Sequence, residues 1–199
     1  MNVEMVLDIP CVWSSFGFTR LRRAADRLRA EGGQVRMHFS PFQLAPGATA
    51  EGELKTVVMR RTFGDGVQDA ISGITRYAAE NGLEFRHERA IFSNTFEAHR
   101  LIAVASAQGR GEEMVERLFR AHHTDELNVA DEATLRTLAA EVGVVWTDAG
   151  AEQVRAELAR VRAEGVRSIP VFRFGNHVVL SGNREQEALY EALAGHHVS

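Results

Sequence analysis

The stretch Leu7-Asp8-Ile9-Pro10-Cys11-Val12-Trp13-Ser14 contains the only cysteine of a 199-residue chain. An apolar run typical of a buried strand, residues 3–9, leads into it, and residues 14–30 repeat apolar side chains at helical spacing. Near the other end, Ile169-Pro170-Val171-Phe172 places a proline at the start of a second strand-like run. A cysteine at a strand-to-helix junction indicates a redox site, because a helix start favours the reactive thiolate.

The composition limits the possible classes of protein. Hydrophobic residues make up 45% and charged residues 25% of the chain, which is typical of a soluble globular protein. The net charge of −4 favours neither nucleic acid nor an anionic membrane as a partner. A single cysteine excludes an internal disulfide, and we find neither a signal peptide nor a membrane-spanning run. These features favour the reducing cytoplasm as the compartment of the protein.

The order of predicted elements indicates an α/β fold. Residues 3–9, 14–30 and 34–39 form a strand–helix–strand unit whose strands are expected to be parallel. Six helical patterns follow, over residues 53–63, 66–81, 95–108, 111–124, 131–142 and 148–163. The chain then returns to a hairpin, residues 169–174 and 177–180 around a Gly175-Asn176 turn, and to a last helix over 184–193. We therefore predict one discontinuous domain, residues 1–52 and 164–199, interrupted by a helical lid over 53–163.

Several motifs resemble the DsbA-like thioredoxin-fold family, and most closely its FrnE-like branch. The family pattern Asp-x-x-Cys-Pro-Trp-Cys is similar to Asp8-Ile9-Pro10-Cys11-Val12-Trp13-Ser14. The stretches 94–101 and 118–123 resemble the branch's lid helices, and 165–172 with Ser181-Gly182 resembles its late strands. Val12 and Ser14 depart from the pattern, and Ser14 replaces the second cysteine.

The resemblance implies a thioredoxin-like fold (βαβ … ββα with a large helical insertion) and a thiol–disulfide oxidoreductase activity. It also implies that Pro170 is a cis-proline opposite Cys11, and that the backbone of Ile169 pairs with a bound thiol substrate. Composition alone equally allows a trans proline at the first residue of a strand.

The chemistry expected at Cys11 depends on its place at a helix start. Backbone N–H groups and the helix dipole favour the thiolate there, so we predict a lowered pKa, with Ser14 donating its hydroxyl proton to the sulfur. No nearby basic residue in the sequence adds to this effect. Ser14 cannot resolve a mixed disulfide, so catalysis would be monothiol and would need an external thiol such as glutathione. The alternative is that Cys11 is a small, buried apolar residue of the core.

Five further residues are candidates for substrate binding. Ser181 and Asn183 lie before the last helix, where free N–H groups suit a glutathione carboxylate or a simple N-cap. Trp13 is expected to wall the site or to pack, and His99 to be a core or lid histidine that could act as acid or base. With the Ile169 backbone, these complete the predicted set. No metal and no tightly bound cofactor is expected, and glutathione is the candidate co-substrate.

Three functions remain open. The first is the monothiol oxidoreductase acting on a small thiol or a thiol-containing substrate. The second is a glutathione-dependent isomerase or transferase, because the kappa-class transferases and the 2-hydroxychromene-2-carboxylate isomerases resemble this fold and place a serine at the site. The third is a non-catalytic binding protein. The apolar lid helices are also compatible with a homodimer. The arginine-rich stripe of the first helix, Arg20 included, is expected to be a solvated face.

Overall fold

The computed structural model of the chain describes residues 1–175 and 177–195. Its central sheet has the strand order β2-β1-β5-β6, formed by Asn2–Leu7 (β1), Arg36–Pro41 (β2), Val171–Phe174 (β5) and Val179–Ser181 (β6). Strands β1 and β2 are parallel, whereas β5 runs antiparallel to both β1 and β6. The α/β thioredoxin-like fold and the parallel first pair are therefore confirmed. Asn176, in the predicted hairpin turn, lies outside the described residues.

The helices of the fold follow the predicted order. They are Val12–Ala30 (α1), Lys55–Phe63 (α2), Val67–Glu80 (α3), Phe96–Ala107 (α4), Gly111–His123 (α5), Glu132–Glu141 (α6), Ala151–Ala163 (α7) and Gln186–Ala194 (α8). A short 3₁₀ turn, Gly64–Gly66, separates α2 from α3. Two-residue strands, Glu53–Leu54 (β3) and Ile91–Phe92 (β4), pair with each other on either side of α2 and α3. No described helix is long and apolar enough to cross a bilayer.

The main core forms where α1, α4, α5 and α8 cover the sheet. Met5, Leu21, Leu101 and Phe172 are among its fully buried side chains. Helices α4, α5 and α7 all contact β2, so the long central segment packs directly on the sheet. The division into residues 1–52 with 164–199 and a lid over 53–163 stays a prediction.

Gly17 sets how closely α1 approaches Pro170 and the strand β5 that follows it. A Cβ at this position would lie 2.8 Å from Phe172 Cζ and 3.0 Å from Pro170 Cγ. Because both neighbours are buried ring atoms in a packed core, the contact can be relieved only by moving the helix or the strand.

We expect Gly17→Ala to destabilise the protein by about 1–2 kcal/mol, since overpacking outweighs the gain in helix propensity. Urea unfolding measures the change. Gly73→Ala is the matched control, because Gly73 lies in α3 with no atom near its missing Cβ. The control should be stabilised by up to ~1 kcal/mol. Equal effects of the two substitutions would contradict this account of Gly17.

Candidate active site

Cys11 is the N-cap of α1. The strand β1 ends at Leu7, and a turn over Asp8–Pro10 is closed by the Cys11 N–H, which donates to the Asp8 carbonyl at 3.2 Å. The Sγ atom of Cys11 accepts the backbone N–H of Ser14 at 3.4 Å. The helix therefore begins at Val12, two residues earlier than its apolar pattern indicates, and the sulfur lies at its tip.

The predicted lowering of the Cys11 pKa is wrong for this structure. Cys11 is only 8% exposed, and burial raises the pKa of its thiol above the ordinary value because the thiolate loses its hydration. The Ser14 hydroxyl and the amides of Ser14 and Trp13 lower the pKa, and the charge of Asp8 raises it. Burial has the largest effect, so the resting sulfur is a thiol at neutral pH.

Ser14 lies next to this sulfur inside the protein. Its side chain is fully buried, and its hydroxyl has no hydrogen-bond partner among the described residues while Cys11 is a neutral thiol. It lowers the pKa of Cys11 by donating to the sulfur as the thiolate forms. The fold thus places Ser14 beside Cys11, and its role as a donor to the thiolate stays a prediction.

The Ile169-Pro170 segment packs beside Cys11. Ile169 and Cys11 belong to one apolar cluster with Val6, Val161 and Val171, and the Ile169–Pro170 peptide bond is cis. The Pro170 carbonyl accepts the Gly182 N–H at 2.9 Å, whereas the Ile169 backbone makes no hydrogen bond within the described residues. Ile169 therefore keeps a donor and an acceptor beside the sulfur.

Trp13 lies in the first turn of α1, two residues after Cys11, and its side chain is partly exposed. Its side chain is 42% exposed, and its ring lies 5.9 Å from Phe16 and 6.2 Å from Tyr77. The contact with Tyr77 joins the start of α1 to α3.

Asn183 is held by Arg20 and does not present a free side chain. Arg20 Nη1 donates to Asn183 Oδ1 at 2.7 Å, and Arg20 Nη2 donates to the Tyr77 hydroxyl at 2.8 Å. Arg20 is only 7% exposed, so the prediction that it lies on a solvated face is wrong. The position of Arg20 in the arginine-rich stripe of α1 does not indicate that α3 and the segment before α8 cover its side chain.

The start of α8 carries two carboxylates. The helix begins at Gln186, after Glu185 at the N-cap and with Glu187 in the first turn. Ser181 is exposed at the end of β6, and its carbonyl accepts from Arg184 Nε at 2.9 Å. Glu185 is ion-paired with Arg20 and Glu187 with Arg27. Ser181 and Asn183 stay predictions as glutathione ligands.

His99 lies in α4 and is directed at the turn before Cys11. Its Nε2 lies 3.1 Å from Asp8 Oδ1 and 2.9 Å from the Phe42 carbonyl, and the ring is almost fully buried. Asp8 also accepts the N–H groups of Ile9 at 2.9 Å and Leu44 at 2.7 Å. These bonds hold the turn that positions Cys11, a role that the sequence did not reveal for Asp8.

Lys55 is the functional candidate that sequence reasoning missed. It is 4% exposed at the start of α2, and its Nζ lies 3.4 Å from His123 Nδ1. Burial lowers the pKa of Lys55 to about 8, while the charge on Cys11 acts in the opposite direction. The sequence contains one sign that this residue is unusual, because Lys55 is the only lysine among 23 lysine and arginine residues.

Elsewhere in the molecule, two carboxylates and one imidazole have their ligand atoms at the spacing of a metal site. The ligand atoms of Glu4, His38 and Glu157 lie within 4.8 Å of one another. Arg160 donates to both carboxylates, and Arg173 Nη1 donates to Glu4 at 2.9 Å. Against the effect of burial, the hydrogen bond from the Ser40 hydroxyl and those from Arg173 and Arg160 lower the pKa of Glu4 to about 2. The group is therefore an ion-pair network.

A cavity of about 900 Å³ lies along α1, away from Cys11. It is lined by both acids and arginines and includes Ser15, Arg22, Glu116 and His123. Cys11 and Pro170 are not among the residues that line it.

Comparison with known proteins identifies the family of the chain. The family model of the DSBA-like thioredoxin domain matches residues 2–194. The chain belongs to this family. Comparison with curated proteins gives no match.

Solved structures share the fold over almost the whole chain. A probable DsbA oxidoreductase from Streptomyces coelicolor is 26% identical with a TM-score of 0.86, covering 98% of this chain and 89% of its own. The cytosolic disulfide reductase DsbM from Pseudomonas aeruginosa, solved with GSH, is 18% identical with a TM-score of 0.67, covering 98% and 96%. A 2-hydroxychromene-2-carboxylate isomerase is 14% identical with a TM-score of 0.66, covering 98% and 95%. Oxidoreductases and an isomerase thus use this fold.

Proposed function

We propose that the protein catalyses thiol–disulfide exchange through Cys11 alone, with an external thiol completing each cycle. The observation that carries the proposal is the Cys11 sulfur at the tip of α1, bonded to the Ser14 N–H and packed against Ile169. Because the sequence contains no second cysteine, resolution cannot be internal.

The exchange balances in two steps. The Cys11 thiolate attacks a disulfide R–S–S–R′, forms the mixed disulfide Cys11–S–S–R and releases R′–S⁻, which takes a proton. A second thiolate GS⁻, for which glutathione is the proposed source, then attacks the R sulfur, forms the disulfide G–S–S–R and returns the Cys11 thiolate. In the mixed disulfide, the free N–H and C=O of Ile169 are positioned to pair with the substrate backbone.

Protein incubated with glutathione disulfide tests the proposal by mass spectrometry. We expect one glutathione adduct on Cys11, which clears when reduced glutathione is added. Because the thiol pKa is raised, the rate should increase with pH by about tenfold per unit below that pKa. Cys11→Ser is the control and should give no adduct. Absence of an adduct at pH 9 with excess disulfide would refute the proposal.

A second candidate function is favoured by the protonated state of Cys11. A buried neutral thiol beside the Ser14 hydroxyl can donate a hydrogen bond to a bound glutathione thiolate, which would then be the nucleophile of an isomerase or transferase. Titration calorimetry with millimolar reduced glutathione distinguishes the two functions. Under this second function, Cys11→Ser still binds glutathione; under the first, it loses the covalent step.

The remaining assignments stay predictions. A reducing cytoplasm suits the proposed use of glutathione, and DsbM, a structural relative, is a cytosolic enzyme. The homodimer and the absence of a metal or a tightly bound cofactor are expectations from the sequence alone.

A further inference from the structure

We propose that Lys55 is a positioning residue that stabilises the thiolate of Cys11 from inside the protein. The proposal rests on the thiol chemistry proposed above and extends it to a residue far from Cys11 in the chain. It accounts for a buried cation that is linked through His123 to the turn before the single cysteine.

The first step is that Lys55 lacks a permanent counter-ion. Its ammonium group is buried, and no carboxylate among the described residues pairs with it. Its backbone N–H donates to the Ala90 carbonyl at 2.8 Å, which fixes the start of α2. A buried ammonium ion without an anion is strongly unfavourable, so the site is prepared for a negative charge that forms only transiently.

The second step is that His123 orients Lys55 toward the turn before Cys11. His123 Nε2 lies 3.0 Å from the Ile9 carbonyl, which can only accept, so Nε2 carries the proton. Nδ1 is therefore a lone-pair acceptor, and Lys55 donates to it. His123 is fixed in turn by stacking on Phe85, with 4.6 Å between ring centroids. The chain of contacts ends two residues before the cysteine.

The third step is that the neighbouring imidazoles carry no charge. His87 and His122 are buried, and both nitrogens of each lack a partner among the described residues. Burial, reinforced by the charge of Lys55, lowers the pKa of His87 to about 4 and holds those of His122 and His123 well below their usual value. At neutral pH Lys55 is therefore the cation of this cluster.

The remaining charges that face the cluster are acids and Arg89, which is ion-paired with Glu126 at 3.1 Å. Glu88 and Glu126 act on His87, and Asp8 acts on Cys11 and raises the pKa of the thiol. The anion that favours the protonated form of Lys55 is the Cys11 thiolate. Such a coupling is reciprocal, so protonated Lys55 must favour the thiolate equally.

A lysine at this position makes the effect depend on pH. An arginine stays charged at every accessible pH, whereas Lys55 loses its proton near pH 8. Below that value the ammonium ion stabilises the thiolate that attacks the substrate disulfide. Above it the stabilisation disappears.

Alkylation of Cys11 by neutral iodoacetamide, followed from pH 6 to 10, tests the proposal. We expect Lys55→Met to react about tenfold more slowly than the natural protein at pH 7, because an opposite charge nearby shifts a pKa by about one unit or more. The ratio of the two rates should approach one above pH 8. Lys55→Arg should restore the rate and keep it high above pH 8. Arg60→Met, on the exposed side of α2, is the matched control and should change nothing.

A second measurement, independent of the alkylation rates, tests the same proposal. Because Lys55 is the only lysine, ¹³C-lysine labelling yields one side-chain signal, and its NMR titration midpoint should lie near 8 in the natural protein. A midpoint at the ordinary lysine value, or a rate ratio that does not vary with pH, would overturn the proposal. Alkylation needs no disulfide substrate, so a failed glutathione adduct with an intact rate ratio would refute only the proposed function.

Discussion

Ser14→Cys is expected to convert this site into a dithiol site that forms an internal disulfide with Cys11. The Ser14 backbone N–H already contacts the Cys11 sulfur, and the Ser14 side chain lies in the same first turn of α1. Its hydroxyl has no hydrogen-bond partner within residues 1–175 and 177–195, so replacing oxygen by sulfur removes no such bond there. The larger sulfur costs about 1–2 kcal/mol of overpacking, which the fold can absorb.

Thiol titration and a disulfide-reduction assay measure this change. The oxidised variant should show no free thiol, and the reduced variant should reduce insulin without added thiol until it is itself oxidised, whereas the natural protein stops at the mixed disulfide until an external thiol resolves it. Ser15→Cys is the matched control: Ser15 is also buried, but it follows Ser14 by about 100° around the helix. Two free thiols persisting in oxidised Ser14→Cys would contradict the proposed site geometry.

The parts of the fold with a long periodic pattern could be predicted from the sequence. The apolar run of β1, the stripe of α1 and the alternation of β2 each specify one element, and their order specifies a parallel pair. The strands β3 and β4 were missed because two residues cannot display a period. Residues 53 and 54 were instead included in the helix that begins at Lys55.

The candidate site was predictable in position but not in electrostatics. The motif around Cys11 is local in sequence, and it correctly placed the sulfur at a helix start beside Ile169. The pKa of the thiol depends on burial and on Asp8, and burial follows only from packing. Lys55 reaches the site through His123 on α5, a tertiary contact that no spacing in the sequence displays.

Asp8→Asn is expected to weaken the fold and to make Cys11 more reactive. Asp8 is almost fully buried and accepts hydrogen bonds from Ile9 N–H, Leu44 N–H and His99. An asparagine keeps the shape but turns one acceptor into an NH₂ group, which must face one of these donors. Leaving a buried donor unpaired costs about 1–3 kcal/mol, so the free energy of unfolding should fall by that amount.

The reactivity of the cysteine should change in the opposite direction. The charge of Asp8 raises the pKa of Cys11, and removing it lowers that pKa, so the thiolate fraction at pH 7 increases. Urea unfolding and iodoacetamide alkylation measure the two effects on the same sample. Asp26→Asn, which removes an exposed ion-paired carboxylate from α1, is the control and should change neither by much. A folded Asp8→Asn protein that alkylates no faster than the natural protein would show that Asp8 acts on the turn and not on the charge of the sulfur.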